Sequence, residues 1–380
     1  MSSLFTINCC KSFSCRNLGL ASSPDYDQPD CRLGYAALHC RACGSYPPLF
    51  NEEQFRLWLS AYLADSAANS GHFCSSCYQR GPIRYGRNPQ GSQRVQCRAC
   101  KKVWTPKRQP LTLFEPPEQI ATVPLIVPFQ GASADQKLYV LLSFDAIRGN
   151  ILHVSSNFTP YPIGDTLRYR WRGIGEATAT HDDIVQRVAQ RESQFLRRNQ
   201  FDEIQYGSAE LKRNASGAIL RPVIAAHGHF RVLSHLWPQV KTHIITHECF
   251  LRGAAITAWA EQFREHRASL WFIDEEIDDN TCLLPWRLRD KTYQGWWRNQ
   301  WQIWEQGTNR KMVSALTHSC FATGETISLT ASGIFIFWLQ QQPKFRQCAQ
   351  FSANSVSQII TSYCSQYNDQ LVRFHTPLSV

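Results

Sequence analysis

Short apolar runs alternate with amphipathic segments through most of this chain, a pattern typical of a mixed α/β protein. The strongest run is residues 137–144 (KLYVLLSF), whose apolar, β-branched and aromatic content predicts a buried strand. Further strands are predicted over residues 151–157, 167–172, 241–247 and 269–273. Together with the helices between them, these strands predict one α/β core over residues 136–283.

Helical segments are predicted before, within and after this core. A polar cap followed by acidic residues predicts helix starts at Asn51 and Thr180, the first within a connecting helix over residues 51–71. Apolar positions at helical spacing predict further helices over residues 252–266 and 352–368. Residues 334–339 (IFIFWL) fit either a buried strand or a short helix.

Two segments frame the core. Residues 109–135 are rich in proline, which predicts a linker with one short strand at residues 120–127. Residues 284–380 are predicted to form a Trp-rich helical extension, because three tryptophans recur at helical spacing. These are Trp297, Trp301 and Trp304.

Four cysteines in residues 72–108 have the spacing of a zinc ribbon. Cys74 and Cys77 form one C-x2-C pair, Cys97 and Cys100 form a second, and nineteen residues separate the pairs. Four thiolates can hold one Zn²⁺ in a tetrahedral site. Such a closed site leaves no coordination position for chemistry, so we expect a structural zinc ion here.

A second cysteine group lies in residues 1–50. Cys40 and Cys43 form a good pair, and Cys10 with Cys15 is the favoured partner pair, with Cys9 or Cys31 as substitutes. The sequence therefore predicts a second structural zinc ribbon, against the alternative that these are ordinary buried thiols.

Positive charge is concentrated in this N-terminal third. Residues 1–110 carry 14 Lys or Arg and 6 Asp or Glu, whereas the rest of the chain carries 26 and 24. Within residues 72–108 no acidic residue is present, and the cations indicate binding to nucleic-acid phosphates. The predicted contacts are Arg84, Arg87, Arg94, Arg98, Lys101, Lys102, Lys107 and Arg108.

The same segment resembles a known family. Its motif joins Tyr85-Gly86-Arg87 and Gly91-x-Gln93-Arg94 to Cys97-x-x-Cys100-Lys101-Lys102-x-Trp104. This pattern is similar to the N-terminal zinc ribbon of the smallest enteric insertion-sequence transposases, and it covers about a tenth of the chain. The resemblance implies that DNA is the partner.

The core resembles the ribonuclease H-like (DDE-type) domain of such transposases, in which the first catalytic carboxylate lies on the first, central strand. Strand, acid, tight turn and strand follow one another around Asp145. The resemblance implies a catalytic trio of Asp145, Glu248 and Glu275 that holds two Mg²⁺ ions. Two departures stand out: Glu248 replaces the usual Asp, and Asp274 and Glu276 compete with Glu275 as the third acid.

Two functions remain open at this point. One is a DNA transposase that cuts and joins DNA; the other is a domesticated relative that has lost catalysis and acts as a DNA-binding regulator or interaction protein. An RNA-binding zinc-ribbon protein is a weaker third alternative. The absence of a recognisable helix-turn-helix and the unusual Glu248 favour the second.

Cysteine usage and hydropathy predict the compartment. Ten of the fifteen cysteines lie in the first 100 residues, mostly paired for metal, which favours a reducing cytoplasm over a disulfide framework. No signal-peptide core and no run of roughly 18 apolar residues is present, so no membrane partner is expected. The sequence thus predicts a cytoplasmic, nucleoid-associated protein and leaves its homo-oligomeric state open.

Overall fold

The structure is a computed structural model, and parts of the chain are described in it. These are residues 7–30, 37–47, 49, 52, 55–56, 59–60, 74, 76, 82–106, 115–131, 137–159, 183–194, 217–279, 282–294, 299–317 and 320–375. Within them no helix is both long enough and apolar enough to cross a membrane.

A large mixed sheet, flanked by helices, forms the body of the protein, which confirms the mixed α/β class. The strands in chain order are β1 (Tyr26–Asp30), β2 (Ala37–Cys40), β3 (Ile83–Arg87), β4 (Gln93–Gln96), β5 (Val103–Trp104), β6 (Gln119–Pro128), β7 (Lys137–Asp145), β8 (Ile151–Ser156), β9 (Phe158–Thr159), β10 (Ala218–Ile219), β11 (Thr242–Thr246), β12 (Ser269–Glu276), β13 (Arg287–Gln294), β14 (Asn299–Gln306) and β15 (Asn309–Ala315). The large sheet has the order β13-β14-β15-β12-β11-β6-β7-β8. Strands β1–β2, β3-β4-β5 and β9–β10 form three small sheets.

Helices follow or separate these strands. They are α1 (Ile184–Gln194), α2 (Pro222–Leu236), α3 (Cys249–Ala258), α4 (Ala260–Arg264), α5 (Thr330–Gln340), α6 (Pro343–Arg346) and α7 (Ala353–His375), with a 3₁₀ turn at Cys348–Gln350. The helix predicted over residues 252–266 is divided at Trp259, and residues 334–339 belong to a helix. The strand predicted over residues 167–172 lies outside the described residues.

Strand β6 corrects the linker prediction for part of residues 109–135. The short strand expected at residues 120–127 is present, but it is ten residues long and sits inside the large sheet. It pairs antiparallel with β7 and, through Gln119–Thr122, parallel with β11. Pro124 and Pro128 lie where the pairing with β11 has already ended, so their missing amide protons disturb that ladder little.

The Trp-rich helix predicted from Trp297, Trp301 and Trp304 is wrong for the part of this segment that the structure describes. Trp301 and Trp304 lie on strand β14, and Trp297 lies outside the described residues. The local sequence NQWQIWEQ alternates around its centre: Trp301 and Ile303 are buried, whereas Gln300 is exposed and Gln302 and Trp304 are partly buried. This period of two, typical of a half-buried strand, overrides the helical spacing.

Strand β7 contributes to two hydrophobic cores, one on each face of the sheet. Tyr139 and Leu141 pack with helices α2 to α4, whereas Val140 and Leu142 pack with α5 and α7. Because successive side chains point to opposite faces, a strand covered on both sides is apolar throughout. This explains the unbroken apolar run that made residues 137–144 easy to recognise.

Candidate zinc ribbons and nucleic-acid interface

The first cysteine group converges on one point. The sulfur atoms of Cys10, Cys15, Cys40 and Cys43 all lie within 4.8 Å of one another. The Cys10 and Cys43 sulfurs are 3.6 Å apart, and those of Cys15 and Cys40 are 3.7 Å apart. Sulfurs about 2.3 Å from a tetrahedral zinc ion are separated by about 3.8 Å, so this group fits zinc. Both distances are far too long for a disulfide of about 2.05 Å.

A tight turn presents the Cys40–Cys43 pair to the metal position. The amides of Cys43 and Gly44 donate to the Cys40 carbonyl, and Gly44 adopts a φ of 68°, where a side chain would be strained. Asn17, which the sequence reading did not single out, donates from its side-chain amide to the Cys40 sulfur at 3.4 Å. Nearby polar donors of this kind hold sulfur ligands in place and stabilise their charge.

The thiols of this site differ in acidity when no metal is bound. Burial raises the pKa of the Cys10 thiol. Burial also acts to raise the pKa of Cys43, but its hydrogen bonds with Ser45 and Ser12 outweigh burial and bring that pKa to about 6. Because zinc needs thiolates, the ion displaces protons when it binds, and its affinity increases with pH.

The second cysteine group shows the same turn. The sulfurs of Cys74, Cys97 and Cys100 lie within 4.8 Å of one another, with Cys74 and Cys100 3.3 Å apart. Lys101 has a φ of 62°, close to the 68° of Gly44, which occupies the matching position in the first group. Its amide donates to the Cys97 carbonyl. Cys77, the expected fourth ligand, lies outside the described residues.

The second ribbon carries a basic surface around its metal group. Arg84, Arg87, Arg98, Lys101 and Lys102 are exposed, and Arg94 is partly exposed with its guanidinium 5.8 Å from the centre of the Tyr85 ring. Among the described residues none of these six cations forms an ion pair with a carboxylate. Lys107 and Arg108, also predicted as contacts, lie outside the described residues.

The first ribbon packs tightly on the body of the protein. Its Ile7 and Leu18 belong to the same buried cluster as Trp259 of the body. The Phe13 ring meets Phe263 edge-on at 6.1 Å, and the Arg264 guanidinium donates to the Leu18 carbonyl at 2.9 Å. We conclude that the first ribbon is anchored in the main core through Ile7 and Leu18, while its cysteines form a small buried cluster of their own.

Close backbone contact completes this docking. A Cβ atom built on Gly19 would lie 1.9 Å from the Cβ of Ala260, which is far inside van der Waals contact. Gly19 also has a φ of 68°, a conformation that disfavours any side chain. Glycine is therefore required at this position for the ribbon to sit against helix α4.

Asp145 has a structural role at the end of β7. One of its carboxylate oxygens accepts hydrogen bonds from the amides of Ile147 and Arg148, at 2.9 and 3.0 Å. The other accepts from the Arg148 guanidinium at 3.0 Å. The carboxylate is buried and closes the turn that leads into β8.

The structure does not bring Asp145 and Glu248 together, contrary to the catalytic prediction. Asp145 pairs with Ile120 on β6, and Ile120 pairs with His243 on β11. From His243 the strand continues three residues to Thr246, about 10 Å, before Glu248 follows. Two strand spacings of about 4.8 Å also separate β7 from β11. Ligands of one Mg²⁺ lie only about 2.1 Å from the ion.

Glu275 lies at the same end of the sheet as Glu248 but is engaged elsewhere. One of its oxygens accepts from the Leu329 amide at 2.9 Å, and burial raises the pKa of its carboxyl group. Burial likewise lowers the pKa of Lys311, on the paired strand β15, to about 8. Within the described residues, the two cysteine groups alone bring three or more metal-binding side chains together, so no Mg²⁺ site is supported.

A buried polar cluster at this end of the sheet was missed by the sequence analysis. Glu192 on α1 accepts from the Asn299 amide at 3.2 Å and contacts the His247 imidazole at 3.1 Å. Arg187 and Arg191, also on α1, donate to Asp274 at 3.0 and 3.2 Å. These contacts attach α1 to β11, β12 and β14, and they depend on packing that local sequence does not encode.

Comparison with known proteins identifies no family for this chain. No protein-family model matches the sequence, and no curated protein is significantly similar to it. A solved structure of piggyBac transposase in a synaptic complex with hairpin DNA aligns with 86% of this chain and 66% of that chain. Its TM-score is 0.27 and its sequence identity 8%, a similarity too low to establish a shared fold.

Proposed function

We propose that this chain is a zinc-dependent DNA-binding protein that holds DNA without cutting it. In this proposal it is a catalytically inactive relative of insertion-sequence transposases, acting as a regulator or interaction protein. The observation that carries the proposal is the cationic surface of the second ribbon, held in place by its cysteine group.

Electrostatics supports the binding half of the proposal. Six cations without acidic partners among the described residues surround the hairpin of β3 and β4. When such side chains bind phosphates, the counterions condensed on the DNA are released, which favours binding. Because these cations form no ion pair with a described carboxylate, none has to be broken before they bind. Zinc matters here because it fixes the turn at Lys101 and the strands that carry the arginines.

The order of strands supports a ribonuclease H-like core with a different first strand from the one expected. Strand β6, not β7, is the first strand of the sheet along the chain, and it lies between β7 and β11. In the family that the core resembles, this central strand carries the first catalytic carboxylate. Strand β6 (QIATVPLIVP) contains no acid at all.

The scattered carboxylates support the inactive half of the proposal. Two-metal cleavage needs acids that share ions about 3.5–4 Å apart. Here Asp145 closes a turn at one end of the sheet, whereas Glu248 and Glu275 lie at the other. Two ribbons followed by one core remain part of this proposal, with a core sheet that extends from β6 to β15 and so exceeds the range of residues 136–283.

The test is direct. The purified full-length protein, loaded with zinc, is titrated into labelled duplex DNA and is separately incubated with supercoiled plasmid and Mg²⁺ or Mn²⁺. The proposal predicts salt-sensitive binding and no nicking. Metal-dependent nicking would restore the transposase alternative, and absence of binding at low salt would refute the proposal.

A further inference from the structure

Among the described residues, strand β13 forms one edge of the large sheet, and it is strongly basic. Arg287, Arg289 and Lys291 are all exposed, whereas Asp290 is the one acidic residue of the strand. Within the described residues none of the three cations forms an ion pair. These cations are distinct from those of the second ribbon, because β13 belongs to the large sheet and the ribbon strands form the separate β3-β4-β5 sheet.

Cross-strand pairing shows how the strand presents its side chains. Lys291 pairs with Gln302 and Tyr293 with Gln300, so both lie on the face of the sheet that carries Trp304, whereas Arg287 pairs with Glu305 and lies on the opposite face. Tyr293 is 62% exposed, and its hydroxyl accepts a hydrogen bond from Gln300 at 2.8 Å. An ordered, exposed tyrosine beside cations is a common contact to sugar and phosphate.

A bulge turns part of this edge outward. The pairing with β14 shifts between Leu288 and Asp290, so Arg289 is the extra residue on the edge strand. Bulges at sheet edges redirect side chains and interrupt continued strand pairing. The edge is therefore shaped to present Arg289 and is poorly suited to receive another strand.

Charged edge strands also protect sheets from edge-to-edge association, and that simpler explanation must be weighed. Protection requires charge but not one sign, whereas β13 carries three cations and one anion, and the excess stays positive when Glu305, the partner of Arg287 on β14, is counted. Pairing with a second copy of β13 would bring these cations against one another. Charge complementarity therefore favours a polyanion as the occupant.

We propose that β13 binds the phosphate backbone of DNA beyond the segment held by the second ribbon. The inference rests on the proposed DNA-binding function and extends it to a second contact. From Arg287 to Lys291 the strand advances about 13 Å, at about 3.3 Å per residue. One DNA strand presents a phosphate about every 3.4 Å along the helix axis, so a backbone that lies along the edge itself, within reach of both faces, offers each cation a different phosphate.

The experiment compares full-length variants on a long and a short DNA duplex. The triple variant Arg287→Gln, Arg289→Gln, Lys291→Gln removes the β13 cations from an exposed strand without altering buried residues. A control variant removes three exposed cations that belong neither to β13 nor to the second ribbon, by Arg221→Gln, Lys344→Gln and Arg346→Gln. Binding is measured at several salt concentrations.

The expected result is a selective loss. On the long duplex the slope of log affinity against log salt falls by about 0.9 for each lost contact, or about 2.7, relative to the wild type and the control. On a short duplex that fills the second ribbon alone, the slopes agree. Equal slopes on the long duplex would overturn this inference while leaving the proposed function intact. Failure of the wild type to bind either duplex would overturn both.

Discussion

Asp145 and Glu248 lie at opposite ends of the large sheet, because β6 separates their strands and pairs with each in a fixed register. Asp145 is level with His243 at the start of β11, whereas Glu248 follows the end of that strand. This arrangement explains why acids that occur in the expected order along the chain do not form a metal site.

Replacing Asp145 should affect stability and leave DNA binding unchanged. Asp145→Ala deprives two amides and the Arg148 guanidinium of their acceptor, which should lower the free energy of unfolding by about 1–3 kcal/mol. Urea unfolding followed by fluorescence measures this change. Asp290→Ala, at an exposed position, is the matched control and should be nearly neutral. Wild-type nicking activity that is lost in Asp145→Ala would contradict the structural role.

The two zinc ribbons should respond differently to loss of a ligand. Cys40→Ser and Cys97→Ser should each reduce the zinc content by one ion per chain, measured by atomic emission. Only Cys40→Ser should lower the melting temperature of the body, because residues of the first ribbon lie in the main core. Cys97→Ser should abolish DNA binding instead. Equal effects of the two substitutions on body stability would argue against this division.

Gly19 offers a test of the docking that does not touch the metal. Gly19→Ala places a methyl group against Ala260 and strains a left-handed backbone, so it should destabilise the protein by more than about 1 kcal/mol. The matched control is Gly149→Ala, which also has a positive φ but whose added Cβ would lie 3.7 Å from the Ala331 Cβ, an ordinary contact distance. If the close contact matters, Gly19→Ala unfolds at lower urea concentration than Gly149→Ala; equal midpoints would indicate backbone strain alone.

Four buried histidines should make the fold sensitive to acid. Burial lowers the pKa of His227, His229, His243 and His247, in His243 to about 3. As the pH falls below 6.5, the ordinary pKa of histidine, these side chains bind protons in the unfolded chain but remain neutral in the folded chain. Stability therefore decreases with falling pH, by about 1.4 kcal/mol per pH unit for each histidine.

His243 allows this contribution to be isolated. Its ring packs against Trp259, with centroids 4.1 Å apart, so His243→Phe keeps an aromatic side chain there. Between about pH 6 and pH 4 the variant should lose stability with a slope smaller by one proton than the wild type. Urea unfolding at a series of pH values measures both slopes, and identical slopes would show that His243 is protonated in the folded state.

Local patterns in the sequence were sufficient for the metal groups and for most strands. The cysteine pairs are short-range motifs. The turns after Cys43 and Cys100 are closed locally, by hydrogen bonds from the amides of Gly44 and Lys101 to the carbonyls of Cys40 and Cys97. The apolar run of β7 reflects burial on both faces. Features of this kind depend on neighbours in sequence, so a single chain reveals them.

Features that depend on register could not be predicted. The frequent prolines around β6 predict a linker, although Pro124 and Pro128 lie beyond the part of β6 that pairs with β11. If β6 is counted as a linker, β7 is the first strand of the sheet, and the acid at its end, Asp145, takes the position of the first catalytic carboxylate. The contact between Glu192 and His247 joins residues 55 positions apart, and no local pattern encodes it.

The central claim is that the second ribbon binds DNA through its exposed cations. The most direct measurement is the salt dependence of duplex binding by a variant carrying Arg84→Gln, Arg98→Gln and Lys102→Gln, with zinc content as the control for folding. The account predicts two zinc ions per chain, weaker binding and a salt slope lower by about 2.7 than that of the wild type. Wild-type affinity and slope in the zinc-loaded variant would contradict it.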